Sequence, residues 1–543
     1  MAPQDRVDWP QVAYDARKSV IDAIPAEWRV QTTYPPGSNV LSAAKDAGFM
    51  SEEELQITDF STDATAILEA IKAKKTTAAA VTVAFCKRAA IAHQHTCCLT
   101  DFFLEEALAR AKELDEIYEK TGKVVGPLHG TVKEHLDIAG HFTTAGFSAQ
   151  WRKHRASKHG HLVQILFDAG AVFYCKTNQP QSIMHLECAS FWGETVNPYN
   201  TALTAGGSSG GESALISFGG SPLGLGSDIG GSLRSPSAAC GIWTLKSTTM
   251  RVPKAGGIIS TPGADSIAST VGPMGRSPRD MQLFFDTIQA ARPWMHDYQL
   301  VPLPAAPGPI PSAPWRIGIM HHDGIVRPQP PITRALTALA TKLKSRPDLF
   351  TVVEFKPYKH AEIKELTNEL YFVDGGASVR ARVNANGEPL LSLTEFAITR
   401  PRVRDHTASQ LWEMNIERET LRGEYLEHWN SQNVDFVLCP VGPGPAPELG
   451  TAKYWAYTSV WNFVDYPAAV LPTGLFADPQ LDAGEEYLKA EPLSKEDAEN
   501  RNNYSPVTFA GAPLSLQLVG RRHADAAVLV AMEEISKQLP LQM

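Results

Sequence analysis

Apolar residues recur at three- and four-residue steps at Leu104, Leu108, Ala111, Leu114 and Ile117, with charged residues between them. This is the spacing of an amphipathic helix with one buried stripe. Ala64–Lys74 and Ala78–His93 are expected to be helical as well, so residues 1–120 read as a mainly helical flank packed on the rest of the chain. Beyond residue 120 the pattern changes. His161–Asp168 keeps a helical character, Ala169-Gly170 breaks it, and Ala171–Cys175 is an apolar run of strand length, after which Lys176-Thr177-Asn178 opens a loop. Ile317–Met320 and Val434–Cys439 read as buried strands, and Asp525–Gln538 as a closing helix. Alternation of this kind predicts an α/β fold with residues 121–543 as its core. Pro302–Pro314 (PLPAAPGPIPSAP) predicts an extended surface linker between two halves of one sheet. Asp478–Glu499 is rich in acids (Asp482, Glu485, Glu486, Glu491, Glu496, Asp497) and is expected to be a solvated surface loop.

Composition narrows the function. The 543 residues suffice for several domains but also suit one large α/β domain. A formal charge of −9, with no basic stripe carrying interleaved aromatics, argues against nucleic-acid binding. No apolar run reaches the roughly 18 residues that span a bilayer, so no stable membrane insertion is expected. Met1-Ala-Pro-Gln-Asp starts no basic-then-apolar leader. The seven cysteines (Cys86, Cys97, Cys98, Cys175, Cys188, Cys240, Cys439) form no framework and read as reduced thiols of a cytoplasmic protein. His154, His159 and His161 cluster in the sequence, as do His321 and His322. Neither set has the helix spacing or carboxylate partner of a zinc site, so no metal and no cofactor are expected.

The chemistry concentrates between Thr204 and Pro236. Two glycine-serine clusters, Gly206-Gly207-Ser208-Ser209-Gly210-Gly211 and Gly226-Ser227-Asp228-Ile229-Gly230-Gly231-Ser232, flank an apolar run. Glycines let backbone N–H groups converge where a Cβ would obstruct them. Neither cluster continues into Gly-Lys-Ser/Thr, which argues against a phosphate loop, and no Gly-x-Ser-x-Gly elbow is present. What fits is a nucleophile with its own oxyanion hole: the N–H groups of Ile229, Gly230, Gly231 and Ser232 beside the Ser232 hydroxyl.

GGSSGGE followed by GSDIGGSLRSP resembles the amidase signature family, and Tyr457–Pro472 (YTSVWNFVDYPAAVLP) resembles its fungal acetamidase branch. The resemblance runs from about residue 55 to residue 540, through Lys176-Thr177-Asn178 and Gly511–Arg522. It implies one large domain with a twisted mixed β-sheet covered by helices on both faces. It also implies a serine–cis-serine–lysine triad that hydrolyses a small-molecule amide through an acyl-enzyme. Ser232 matches the nucleophile, Ser208 the serine at the cis peptide, and Lys133, within Gly126–Gly140, the lysine. Asp228 and Arg234 match positions that hold the loop, Ser209 orders the first cluster, and Ile183 falls where relatives line the acyl pocket. Trp461, Phe463 and Tyr466 suit an aromatic wall or plain core packing. Homodimers are common among such relatives.

One departure leaves two outcomes open. Before Lys133 the chain is shorter than the family pattern by about three residues, and an odd deletion in a regular strand turns its side chains to the other face. Either the turn at Leu128–Gly130 absorbs the loss, or Lys133 misses Ser208 and the chain is a silent scaffold or binding protein. Glu134 replaces the usual aspartate.

Overall fold

The computed structural model describes residues 8–124, 129–302 and 312–541. Its centre is an eleven-stranded mixed sheet. In chain order the strands are Leu99–Phe102 (β1), His129–Lys133 (β2), Val172–Thr177 (β3), Leu223–Asp228 (β4), Trp243–Lys246 (β5) and Thr270–Gly275 (β6). Trp315–Ile319 (β7), Phe350–Glu354 (β8), Phe436–Pro440 (β9), Ala468–Phe476 (β10) and Pro513–Val519 (β11) complete the set. Across the sheet the order is β1-β3-β2-β4-β6-β5-β10-β11-β9-β7-β8. β2 lies parallel to both β3 and β4, and β7 parallel to both β8 and β9, while the remaining pairs are antiparallel. The strands before and after the proline-rich segment form two blocks, stitched together where β10 pairs with β5. Most of the expected linker, residues 303–311, lies outside the described residues.

Both faces of the sheet are covered, and strand alternation shows how. Phe436 and Leu438 of β9 enter one apolar core with Ala469 and Leu471 of β10 and Leu518 of β11. Their neighbours Val437, Cys439, Ala468 and Val519 point the other way, into a second core. The first core takes in the helices Ala78–Thr96, Pro330–Lys344 and Asp525–Ser536, the second His360–Tyr371, Ala408–Gln432 and Ala456–Phe463. The chain is therefore one α/β domain with helices on both sides, as expected.

Local signals explain several boundaries. Asp63 and Thr77 accept the N–H groups of Ala66 and Ala80 and so cap the helices Ala64–Lys72 and Ala78–Thr96. Cys97 ends the second helix in the left-handed region, at φ 54°. The first 120 residues also supply β1, which pairs with β3. Two expectations need correction. Lys176 and Thr177 do not open a loop but complete β3, where both side chains are buried. The acidic run is not a solvated loop: it forms the helices Glu485–Lys489 and Lys495–Asn502. Asp482 is 1 % exposed and accepts two hydrogen bonds from Arg334, at 2.7 and 2.8 Å. Asp497, also buried, accepts the N–H groups of Arg327 and Leu493 at 2.8 Å. Glu485 and Glu486 do face solvent. A count of acids cannot separate a buried capping acceptor from a solvated charge.

Candidate active site

Strand alternation places Thr131 and Lys133 on one face of β2, beneath the helix Gly210–Phe218. Thr131 Oγ1 donates to Glu212 Oε2 at 2.5 Å, and Thr177 Oγ1 of β3 donates to Glu212 Oε1 at 2.8 Å. The helix is thereby tied to the strand that carries the lysine. Lys133 Nζ lies 2.6 Å from Ser208 Oγ and 3.0 Å from Ser227 Oγ. Lys133 is thus not turned away from Ser208; Leu128, at the start of the expected compensating turn, lies outside the described residues. Gly130 pairs with Phe173 but Val132 with Lys176, so the β2–β3 ladder slips by one residue between them. The extra residue of that slip lies in β3, while β2 keeps a regular register against β4, so Thr131 and Lys133 share a face by ordinary strand alternation.

Lys133 is wholly buried. Burial pulls its ammonium down from the ordinary 10.5 to about 7, against the opposing pull of Cys188, Asp228 and Glu212. Burial likewise pushes the Glu212 carboxyl up to about 8, despite the two threonine hydroxyls and Lys133.

Ser208 is buried at a cis Gly207–Ser208 peptide bond. Ser209, before the first turn of the helix, connects the two clusters. Its N–H donates to the Ser232 carbonyl at 3.2 Å, and its hydroxyl accepts the Ser227 N–H at 3.4 Å. Ser232 is 5 % exposed at the turn from β4 to the helix Arg234–Cys240.

Asp228 and Arg234 hold that turn from below. Arg234 Nη2 and Nε reach Asp228 Oδ1 and Oδ2 at 3.0 and 3.1 Å, both side chains fully buried. Arg234 also donates to the Thr458 carbonyl at 2.9 Å, to Asn462 Oδ1 at 2.7 Å and to Gln517 Oε1 at 3.3 Å. Burial pushes the Asp228 carboxyl up, but Arg234 and the Asn462 amide outweigh it and hold it at about 2. Asp228 Oδ1 further accepts the Gly231 N–H at 2.9 Å, and Oδ2 the Leu233 N–H at 3.1 Å. This corrects the expected donor set: the Gly231 N–H is spent on Asp228, which leaves Ile229, Gly230 and Ser232 as candidates. Tyr371 Oη donates to the Ile229 carbonyl at 2.5 Å, and Thr458 Oγ1 to the Gly230 carbonyl at 2.6 Å.

Ser182 and Ile183 both sit in the left-handed region, at φ 61° and 65°, which is an outlier for a β-branched residue. Half-buried Ile183 packs on the apolar cluster that contains Tyr371 and, at its margin, Ile229. Trp461, Phe463 and Tyr466 are core: all three are buried, with Trp461 edge-on to Tyr425 and Trp429. Glu134 accepts the N–H groups of Thr144 and Ala145 and the side-chain amide of Gln179, bracing the loop after β2. Two of the clustered histidines do have carboxylate partners, His154 with Asp137 and His321 with Glu354. Glu212, Ser227, Tyr371, Thr458, Asn462 and Gln517 were not assigned a role from the sequence; all but Tyr371 stand inside segments that resemble the family, but nothing in those segments marked them individually.

Residues 80–529 match the family described as Amidase. The chain is similar to a putative amidase of Schizosaccharomyces pombe, 44 % identical over 98 % of this chain and 100 % of that one. It is also similar to an acetamidase of Emericella nidulans, 36 % identical over 98 % of both chains. Among solved structures, a fatty acid amide hydrolase superposes with a TM-score of 0.92 at 34 % identity, over 99 % of this chain and 98 % of that one.

Proposed function

The chain belongs to the amidase family and is an amidase, and from that premise we propose that it cleaves carboxylic acid amides through Ser232, Ser208 and Lys133. The observation that carries the reading is the 2.6 Å approach of Lys133 Nζ to Ser208 Oγ in a fully buried pair. Ser232 Oγ attacks the amide carbonyl carbon while its proton passes through Ser208 to neutral Lys133. The carbonyl oxygen takes up negative charge beside the loop N–H groups. The relay then returns the proton to the amide nitrogen, the C–N bond breaks, and ammonia or an amine leaves. Water attacks the acyl-enzyme by the same route and releases the carboxylate. The acetamidase relative favours short acyl groups as first substrates. The seven cysteines stand as free thiols, which supports a reducing compartment, the cytoplasm. None of the described helices is long and apolar enough to cross a membrane.

The scaffold alternative loses the feature that motivated it, because Lys133 reaches Ser208. The test is ammonia release from acetamide, longer aliphatic amides and an aryl amide, with a fluorophosphonate probe located by mass spectrometry. Turnover with the label on Ser232 is the expected result. No turnover together with an unlabelled Ser232 would return the scaffold reading.

The lysine also sets a pH dependence. Lys133 can accept a proton only when neutral, and its ammonium is pulled down to about 7. On a non-ionising amide, kcat/KM is therefore expected to rise with pH through about 7 and level off above it. Lys133→Arg, charged at every working pH, should remove the activity and the limb together.

A further inference from the structure

Two side chains from outside both glycine-serine clusters grip the turn that carries Ser232. Tyr371 ends the helix His360–Tyr371 and Thr458 lies in the helix Ala456–Phe463; the two helices share one apolar core, and both residues are buried. In a trans peptide the carbonyl and the N–H point in opposite directions. Tyr371 Oη holds the Ile229 carbonyl at 2.5 Å, so the Gly230 N–H of that plane points away from Tyr371. Thr458 Oγ1, which also faces the Trp455 carbonyl at 3.0 Å, holds the Gly230 carbonyl at 2.6 Å. The N–H of that next plane, on Gly231, goes to Asp228. Both planes are thus set by groups outside the turn.

The double glycine fits these neighbours. A Cβ on Gly230 would lie 2.7 Å from Tyr371 Oη, and one on Gly231 would collide with Thr458 Oγ1. A side chain on either residue would force Tyr371 or Thr458 off the carbonyl it holds.

We propose that Tyr371 and Thr458 are positioning residues that orient the Gly230 N–H toward the oxygen of the reacting carbonyl, and so govern kcat rather than substrate affinity. The inference rests on the amidase reading above. Each acts through a peptide plane, Tyr371 through that of Ile229–Gly230 and Thr458 through that of Gly230–Gly231. Charge gathers on the carbonyl oxygen only as Ser232 adds to it, so a misaligned donor costs the transition state and spares the ground state. Burial holds the Tyr371 hydroxyl well above its ordinary range, so it stays a donor at every working pH.

The experiment compares wild type with Tyr371→Phe, Thr458→Val and Thr458→Ser on an amide the wild type turns over. It also measures inhibition by the aldehyde of the same acyl group, whose adduct with Ser232 places an oxyanion where the transition state does. In Tyr371→Phe, kcat is expected to fall about 10- to 100-fold with KM within about twofold, and aldehyde affinity to weaken in parallel. Thr458→Val should lose less, and Thr458→Ser, which keeps the hydroxyl, should recover it. Wild-type kcat in both Tyr371→Phe and Thr458→Val would overturn the inference. So would a loss of kcat that leaves aldehyde affinity untouched. A wild type with no turnover and no fluorophosphonate label would instead overturn the amidase reading and this inference with it.

Discussion

Ser232→Ala is expected to lower kcat/KM on an amide by about 10⁴-fold or more, and Lys133→Met by nearly as much. Methionine matches the length of the lysine stem and fills the same buried space, but it offers no nitrogen to receive the Ser208 proton. Because the relay works as one unit, the double variant should be no slower than Ser232→Ala alone. The residual rate would be what the turn at Ile229–Ser232 and substrate binding supply without a nucleophile. Ser232→Ala removes one hydroxyl from a side chain that is 5 % exposed, so its melting temperature should match that of the wild type. A Lys133→Met enzyme with wild-type kcat/KM would show that the proton leaves Ser232 by another route. Additive losses in the double variant would show that the two residues serve separate steps.

How much of this site was legible depends on how local each part is. Ser208, Ser209, Asp228, Ser232 and Arg234 lie in two short clusters whose glycine content is itself the signal, and the structure brings all five together. Lys133 was legible as a residue but not as a position. β2 is regular against β4, and that this register presents Lys133 to Ser208 beneath a helix from another part of the chain is something no single segment encodes. The α/β alternation came through because buried strands and amphipathic helices differ in period. Tyr371, Thr458, Asn462 and Gln517 did not: each reaches the turn from a distant element, and although Thr458, Asn462 and Gln517 lie in segments that resemble the family, nothing in those segments points to the turn. Gly231 shows a subtler limit. A glycine-rich turn advertises free N–H groups, but only the fold reveals that Asp228 has already claimed one.

The Asp228–Arg234 pair predicts the largest effect on stability. Asp228→Asn keeps the shape of the carboxylate but leaves the Arg234 guanidinium without a countercharge at a fully buried site. The Thr458 carbonyl, Asn462 and Gln517 would still accept hydrogen bonds from it, but none of them carries a charge. Removing one partner of a buried pair costs about 3–5 kcal/mol. The expected result is a melting temperature several degrees lower at a fixed scan rate, since unfolding of so large a chain is read as a rate. The same substitution at Asp22, paired with Lys18 where both side chains are 52 % exposed, should leave the melting temperature where it was. The sign of the pH effect comes from the folded state. Asp228 is held at about 2 against an ordinary 3.8, so its contribution is complete above about pH 4 and is lost as the pH falls toward 2. The gap between wild type and Asp228→Asn should therefore narrow in acid. A gap that persisted at pH 2 would place the stabilisation in the geometry of the hydrogen bonds rather than in the charge.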